Sequence, residues 1–204
     1  MGIYETILYK NNQLQFFEEH FNRLSKSASK LHIPFDISQT TLLEKIFSQL
    51  SNHTFKTARV RINLTNSIEI ICSEITPISS NKLVTFKGVR PNPEFKNIDR
   101  KIEDQALMFA HQNQAVDSVL INNENFLTEG SISNFFIVKN GQLITAPNKV
   151  LPGIMRAKIL QLSKTLKIPC NLRFIEFDEI FTAEEMFITN SLKRIVPIFK
   201  IDNH

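Results

Sequence analysis

With 204 residues and 42% hydrophobic side chains, the chain is long enough for one domain or two small ones around a real core, and disorder is excluded. A net charge of +4 is modest, and Lys and Arg are scattered through amphipathic stretches. The balance therefore gives no nucleic-acid footprint and suits a small anionic ligand, and no apolar run reaches the roughly 20 residues that span a bilayer.

Ile3 to Tyr9 alternates as a strand, and Lys10-Asn11-Asn12-Gln13 turns into a second short strand at Leu14 to Phe16. From Phe17, the residues His20, Phe21, Leu24, Ala28 and Leu31 recur at helical spacing, with Pro34 just past the end. A second amphipathic helix follows, its expected inward face being Leu42, Leu43, Ile46, Phe47 and Leu50. Thr57 to Leu64 then alternates strictly, with Ala58, Val60, Ile62 and Leu64 on one face and Arg59 and Arg61 on the other. Ile68 to Ile75 is its hairpin partner, and Leu83 to Gly88 adds a strand. Arg90-Pro91-Asn92-Pro93 resists helix and sheet alike, so the chain is divided into residues 1–90 and residues 91–204.

In the second half the pattern predicts a helix over Lys96 to Gln112, with Ile98, Ile102, Ala106 and Phe109 on one face. Ala115 to Ile121 reads as a strand, Asn122 to Asn125 as a turn, and Phe126 to Val138 as a segment carrying the polar run Thr128-Glu129-Gly130-Ser131-Ile132-Ser133-Asn134. Asn140-Gly141 signals a hairpin returning through Leu143 to Thr145. A helix from Ile154 to Leu166 would bury Ile159, Leu162 and Leu166; Cys170 to Ile175, Met186 to Thr189 and Ile195 to Ile201 read as strands. The mixture is α+β. Cys72 and Cys170 lie far apart in apolar or strand-like surroundings and read as core filler; with no signal peptide before Tyr4, the expectation is a reduced, cytoplasmic protein.

Several stretches carry chemistry. Glu129 with its small polar neighbours makes a poor core and a good ligand floor. Gly153 would let backbone approach a ligand, and the amides of Ile154 and Met155 at a helix start suit a phosphate, although a glycine before a helix is common without any ligand. Thr189-Asn190-Ser191 offers hydroxyls and amides at a strand end, although a plain polar turn accounts for it equally. Arg23, three residues after His20, either turns inward toward an anion or lies exposed beside a boundary histidine. Lys96 sits beside Phe95 and just before a helix; a partly desolvated lysine is a nucleophile, but an ordinary solvated lysine accounts for it as well, and spacing alone selects no catalytic lysine. His, Cys and carboxylates do not cluster at metal-ligand spacing, and no glycine-rich nucleotide signature is present.

Taken in order, Tyr4-Glu5-Thr6, His20-Phe21-Asn22-Arg23-Leu24, Lys96 with Arg100, Thr128 to Phe136, Leu151-Pro152-Gly153-Ile154-Met155-Arg156 and Met186 to Ser191 with Val196-Pro197 resemble the class IV aminotransferases. These are the fold-type IV pyridoxal-phosphate enzymes that include branched-chain and D-amino-acid aminotransferases and aminodeoxychorismate lyases. The resemblance covers nearly the whole chain. It implies a small N-terminal α/β domain and a larger C-terminal pseudo-barrel domain with pyridoxal 5'-phosphate between them, in a homodimer. Against the family pattern, this chain reads as truncated at both ends.

The resemblance makes Lys96 the lysine that bonds the cofactor and moves protons, and Arg100 in the Lys-x-x-x-Arg pattern selects it over Lys101. It places Arg23, Gly153, Ile154, Met155, Asn190 and Ser191 at the cofactor phosphate. Glu129 falls at the pyridine nitrogen, with Ser133 and Asn134 supporting it or the ring. Tyr4, with Arg59 and Arg61, falls to the substrate. The implied activity is an aminodeoxychorismate lyase, giving 4-aminobenzoate and pyruvate for folate synthesis. The alternatives are an aminotransferase using branched-chain or D-amino acids with 2-oxoglutarate, and a non-catalytic protein keeping the fold. The expected partners are an amino-acid-like substrate and a second copy of the chain, without nucleic acid or membrane.

Overall fold

Ile3, Glu5, Ile7 and Tyr9 alternate with Tyr4, Thr6 and Leu8, so strand β1 (Ile3–Lys10) presents two different faces. The computed structural model describes residues 2–75, 77 and 80–204; Met1, the first residue of the expected N-terminal domain, lies outside them. Two compact units divide the chain, one formed by Met1–Pro77 with Phe95–Asp99 and the other by Ile78–Glu94 with Arg100–His204.

In the first unit β1 lies between β2 (Gln13–Leu14) and β3 (Thr57–Leu64), and β4 (Ile68–Ser73) lies outside β3; among the described residues this is a four-stranded antiparallel sheet. Helices α1 (Phe17–Lys30) and α2 (Gln39–Leu50) pack on it. Their buried Leu24, Ala28, Leu42, Ile46 and Leu50 join Ile3, Ile7, Val60 and Ile62 in one core. Ser38 caps α2 by accepting from the Thr41 amide at 3.0 Å.

Two expectations are corrected here. The second strand stops at Leu14, because Phe16 adopts φ 57° to turn the chain into α1. Phe47 is 40% exposed, because Leu42, Ile46 and Leu50 already form a narrow buried stripe and leave it at the rim, edge-on to Tyr9.

The free edge at the start of β1 is filled from far along the chain. Tyr4 N–H donates to the Lys96 carbonyl at 2.8 Å, Ile98 N–H donates to the Gly2 carbonyl at 3.0 Å, and Ile3 bridges Asn97. This anchors Lys96 through its carbonyl to the start of β1. It also corrects the helix expected from Lys96, since a segment bonded to a strand edge cannot make helical bonds.

In the second unit, α3 (Lys101–Gln112) connects β5 (Lys82–Lys87) to the parallel β6 (Asp117–Ile121) and packs on both. Then come β7 (Phe126–Gly130), β8 (Asn134–Lys139) and β9 (Gln142–Thr145), all antiparallel neighbours. The β8–β9 turn is Asn140-Gly141, both at positive φ, the conformation a tight hairpin requires. Helix α4 (Ile154–Thr165) leads to β10 (Cys170–Leu172), parallel to β9, and β11 (Ile175–Glu176) pairs with β7. Finally β12 (Glu185–Asn190) pairs with β8 and β13 (Arg194–Ile198), and β14 (Lys200–Ile201) pairs with β5. Among the described residues these ten strands make one sheet. Leu83, Val119, Leu127, Phe135, Ile137 and Ile188 lie at the centre of its core.

Further corrections follow from this packing. Only Ile159 of the expected α4 triplet is buried; Leu162 and Leu166 are 50% and 59% exposed, and Phe109 of α3 is 38% exposed. Cys170 is exposed on the edge strand and so does not fill a core as expected, whereas the half-buried Cys72 packs against the core of the first unit. The stretch Cys170 to Ile175 breaks into β10 and β11, and Ile195 to Ile201 into β13 and β14.

Candidate active site

In the first unit the alternation of β1 sends Tyr4 to the sheet face opposite the helices. Its register with β3 places it beside Asn63 and diagonal to Arg61. The Arg61 guanidinium carbon lies 3.9 Å from the Tyr4 ring centroid and the Lys96 ammonium 4.5 Å from the same centroid. Tyr4 is buried, and its quadrupole holds two cations that would otherwise repel. Arg61 Nε donates to Asn63 Oδ1 at 2.7 Å, and Asn63 donates on to Glu69 at 2.8 Å. Arg59, half-buried, shares this face two residues away.

On the helix side of β1, Glu5 is buried and faces α1. It accepts from Arg23 Nε on one oxygen and Arg23 Nη2 on the other, both at 2.7 Å, and Oε2 also meets His20 Nδ1 at 2.7 Å. Burial alone would raise the Glu5 carboxyl, but the charge of Arg23 and the hydrogen bonds from His20 and Arg23 hold it well below the carboxylate range. Sequence reasoning did not join Glu5 to His20 and Arg23, although its place beside Tyr4 and the i, i+3 pair His20 and Arg23 contained the signal.

The second unit gathers the Thr128 to Asn134 run. Glu129, at the end of β7, is buried; Leu151 N–H donates to its Oε2 at 3.0 Å, and Arg90 Nη1 lies 3.5 Å from its Oε1. Arg90 is in turn 3.1 Å from Glu103 of α3, and all three side chains are buried. Asn134 Nδ2 donates to the Leu151 carbonyl at 2.9 Å, so the Leu151 residue is gripped on both sides by the polar run. A Cβ at Gly153 would collide with Asn134 Oδ1, which explains glycine there: backbone passes too close for a side chain.

Ser131 and Ser133 serve a different carboxylate. Both hydroxyls donate to Asp117, at 2.5 Å each, and the amides of Ser118, Ser131 and Ile132 also donate to it. Burial pushes the Asp117 carboxyl up, and these hydrogen bonds pull against it. The expected support of Ser133 therefore reaches the turn through Asp117, a residue that sequence reasoning passed over inside a strand.

Gly153 caps α4 without a side-chain bond to the first-turn amides of Ile154 and Met155. Thr189, paired with Asn134 across β12 and β8, is buried, and its hydroxyl has no hydrogen-bond partner among the described residues. Asn190 Oδ1 accepts from the amides of Leu192 and Lys193 at 3.1 and 2.8 Å, shaping the turn that holds Ser191. Burial lowers the Lys193 amine and Asp117 opposes that shift; burial likewise lowers Arg156, and the charges of Cys170 and Glu129 oppose it.

Among the described residues no helix is long and apolar enough to cross a membrane, and no group of His, Cys, Asp and Glu could hold a metal ion. Comparison with known proteins agrees with the motif order. The family profile "Amino-transferase class IV" matches residues 2–201. The chain is 26% identical to a Methanocaldococcus jannaschii protein named "Putative branched-chain-amino-acid aminotransferase", over 98% of this chain and 78% of that one. It is also 26% identical, with the same coverage, to a D-alanine aminotransferase of Listeria innocua. The fold superposes with a TM-score of 0.87 on a "Putative 4-amino-4-deoxychorismate lyase" structure from Legionella pneumophila, at 24% identity over 99% of this chain and 83% of that one. The chain is a member of the class IV aminotransferases, enzymes that use pyridoxal phosphate.

Proposed function

We propose that this enzyme acts on an amino-acid-like dicarboxylate, and specifically that it is an aminodeoxychorismate lyase. The observation that carries the reading is the Tyr4 ring with Arg61 at 3.9 Å and Lys96 at 4.5 Å: a cation suited to a carboxylate beside the amine that would do the chemistry. Arg59 and Arg61 on one strand face match the two carboxylates of aminodeoxychorismate, whereas a branched-chain substrate calls for an apolar wall.

The residues fit pyridoxal phosphate. The first-turn amides of α4 lack a side-chain cap and the Thr189 hydroxyl is buried with no hydrogen-bond partner among the described residues, two features that an anionic group would satisfy. In this assignment Ile154, Met155, Asn190 and Ser191 hold the phosphate, with Gly153, packed against Asn134, leading the chain into α4. Arg23, oriented by Glu5, adds its guanidinium. Glu129 faces the ring nitrogen, and Asn134 keeps Leu151 against Glu129.

When bound, the cofactor supplies an electron sink for the substrate carbanion. Lys96 Nζ is the base that takes the substrate α-proton and the acid that returns a proton. Tyr4 presents its ring to that amine at 4.5 Å and so limits its motion. Arg61 orients a substrate carboxylate, so that proton transfer starts from an aligned geometry. Assembly as a homodimer and residence in the cytoplasm belong to the same proposal.

A second reading, an aminotransferase with 2-oxoglutarate as acceptor, is favoured by the names of the relatives at 26% identity. One assay separates the two. The purified enzyme is given aminodeoxychorismate, with pyruvate and 4-aminobenzoate measured, and in parallel a panel of L- and D-amino acids with 2-oxoglutarate. Equimolar pyruvate and 4-aminobenzoate is the expected result; amino transfer without them overturns the lyase assignment.

A further inference from the structure

Glu129 can face a pyridine nitrogen usefully only if it stays ionised there, and burial opposes that. The carboxylate is 1% exposed, so solvent contributes little to holding its charge. Three features of the second unit oppose protonation. The Leu151 amide donates to Oε2 at 3.0 Å. Arg156 of α4 interacts with Glu129 through its charge. Arg90 Nη1 lies 3.5 Å from Oε1.

Arg90 is itself 6% exposed and is held by Glu103 at 3.1 Å, which is 2% exposed. A buried guanidinium between two buried carboxylates is costly to assemble, and replacing such a group by apolar side chains is often neutral or stabilising. Stability alone therefore does not account for it.

We infer that Arg90 is the positioning residue of Glu129, with Glu103 fixing Arg90, so that a proton shared between Glu129 and the cofactor ring resides on the ring nitrogen. The inference rests on the cofactor assignment above. A cation against the carboxylate lowers its proton affinity more than that of a ring nitrogen on the carboxylate's far side, because the Coulomb interaction falls with distance. Without Arg90 the shared proton moves toward Glu129, and the ring loses electron-withdrawing power while remaining bound.

The test reads the ring nitrogen directly. Apo protein is reconstituted with pyridoxal phosphate labelled with nitrogen-15 at the ring, and the nitrogen resonance is recorded across neutral pH in the wild type, Arg90→Gln, Arg90→Lys and Glu103→Gln. Circular dichroism verifies folding of each variant. The wild type is expected at the protonated position. Arg90→Gln is expected to move toward the unprotonated position, Arg90→Lys to restore most of the shift, and Glu103→Gln to show a smaller shift of the same sign.

Bound cofactor with an identical resonance in wild type and folded Arg90→Gln overturns the inference and leaves the cofactor assignment intact. If Arg90→Gln does not fold, an unchanged resonance in Glu103→Gln overturns it in the same way. A wild type that binds no cofactor overturns both.

Discussion

The Leu151 amide donates to Glu129 Oε2 at 3.0 Å, joining the segment before α4 to the end of β7 across 22 residues of sequence. Asn134 grips the carbonyl of the same residue at 2.9 Å. The carboxylate assigned to the ring and the glycine turn assigned to the phosphate are thus parts of one hydrogen-bonded unit. Glu129→Gln keeps the shape and removes the charge. Turnover is expected to fall on the order of 10²–10³-fold, by analogy with the loss of one preorganised electrostatic group. Stability to urea is expected to drop by about 1–3 kcal/mol as Arg90 loses a buried partner. Steady-state kinetics and urea unfolding measure the two effects, and near-wild-type turnover with cofactor bound contradicts the role.

Glu5 governs the acid side of stability. Its carboxyl is held well below the ordinary glutamate value of 4.5, so its contribution is fully present above 4.5 and is lost as pH falls through that value toward the folded one. The wild type should therefore lose stability steeply on acidification, and Glu5→Gln should flatten that slope. At neutral pH the substitution should cost about 3 kcal/mol, as for one partner removed from a buried ion pair. Urea midpoints across the acid range check this; parallel slopes in the two proteins would contradict it.

Gly153→Ala tests the phosphate turn. The backbone angles at Gly153 suit alanine, so the obstacle is space alone: the new methyl meets Asn134 Oδ1 and strains the Asn134 bond to Leu151. The expected outcome is roughly tenfold weaker binding of pyridoxal phosphate, about 1.4 kcal/mol, with a smaller change in thermal stability. Fluorescence titration of apo protein measures it. Unchanged affinity would remove Gly153 from the site.

Legibility in the sequence followed the range of the interactions. The alternation of β3 and the Asn140-Gly141 turn are local, and both were readable. The run from Thr128 to Phe136 stood out in the sequence because small polar residues are misplaced in a core. Asp117 was not, because its partners lie 14 to 16 residues further on and its neighbours read as plain strand. Arg90 was hidden in a proline-bearing stretch that looked like a linker, and only the fold brings Glu103 and Glu129 to it. The false start of α3 has the same origin. Residues Lys96 to Ile98 carry helical periodicity, but bonds to Gly2, Ile3 and Tyr4, remote in sequence, override it.

The central claim is that Lys96, fixed by its carbonyl to the Tyr4 amide and set against the Tyr4 ring, is the amine that bonds pyridoxal phosphate. Reduction of the reconstituted protein with borohydride, followed by peptide mass mapping, tests this most directly. A single pyridoxyl phosphate adduct on Lys96, absent from Lys96→Ala, is the predicted result; an adduct on Lys101, or an undiminished adduct in Lys96→Ala, would contradict it.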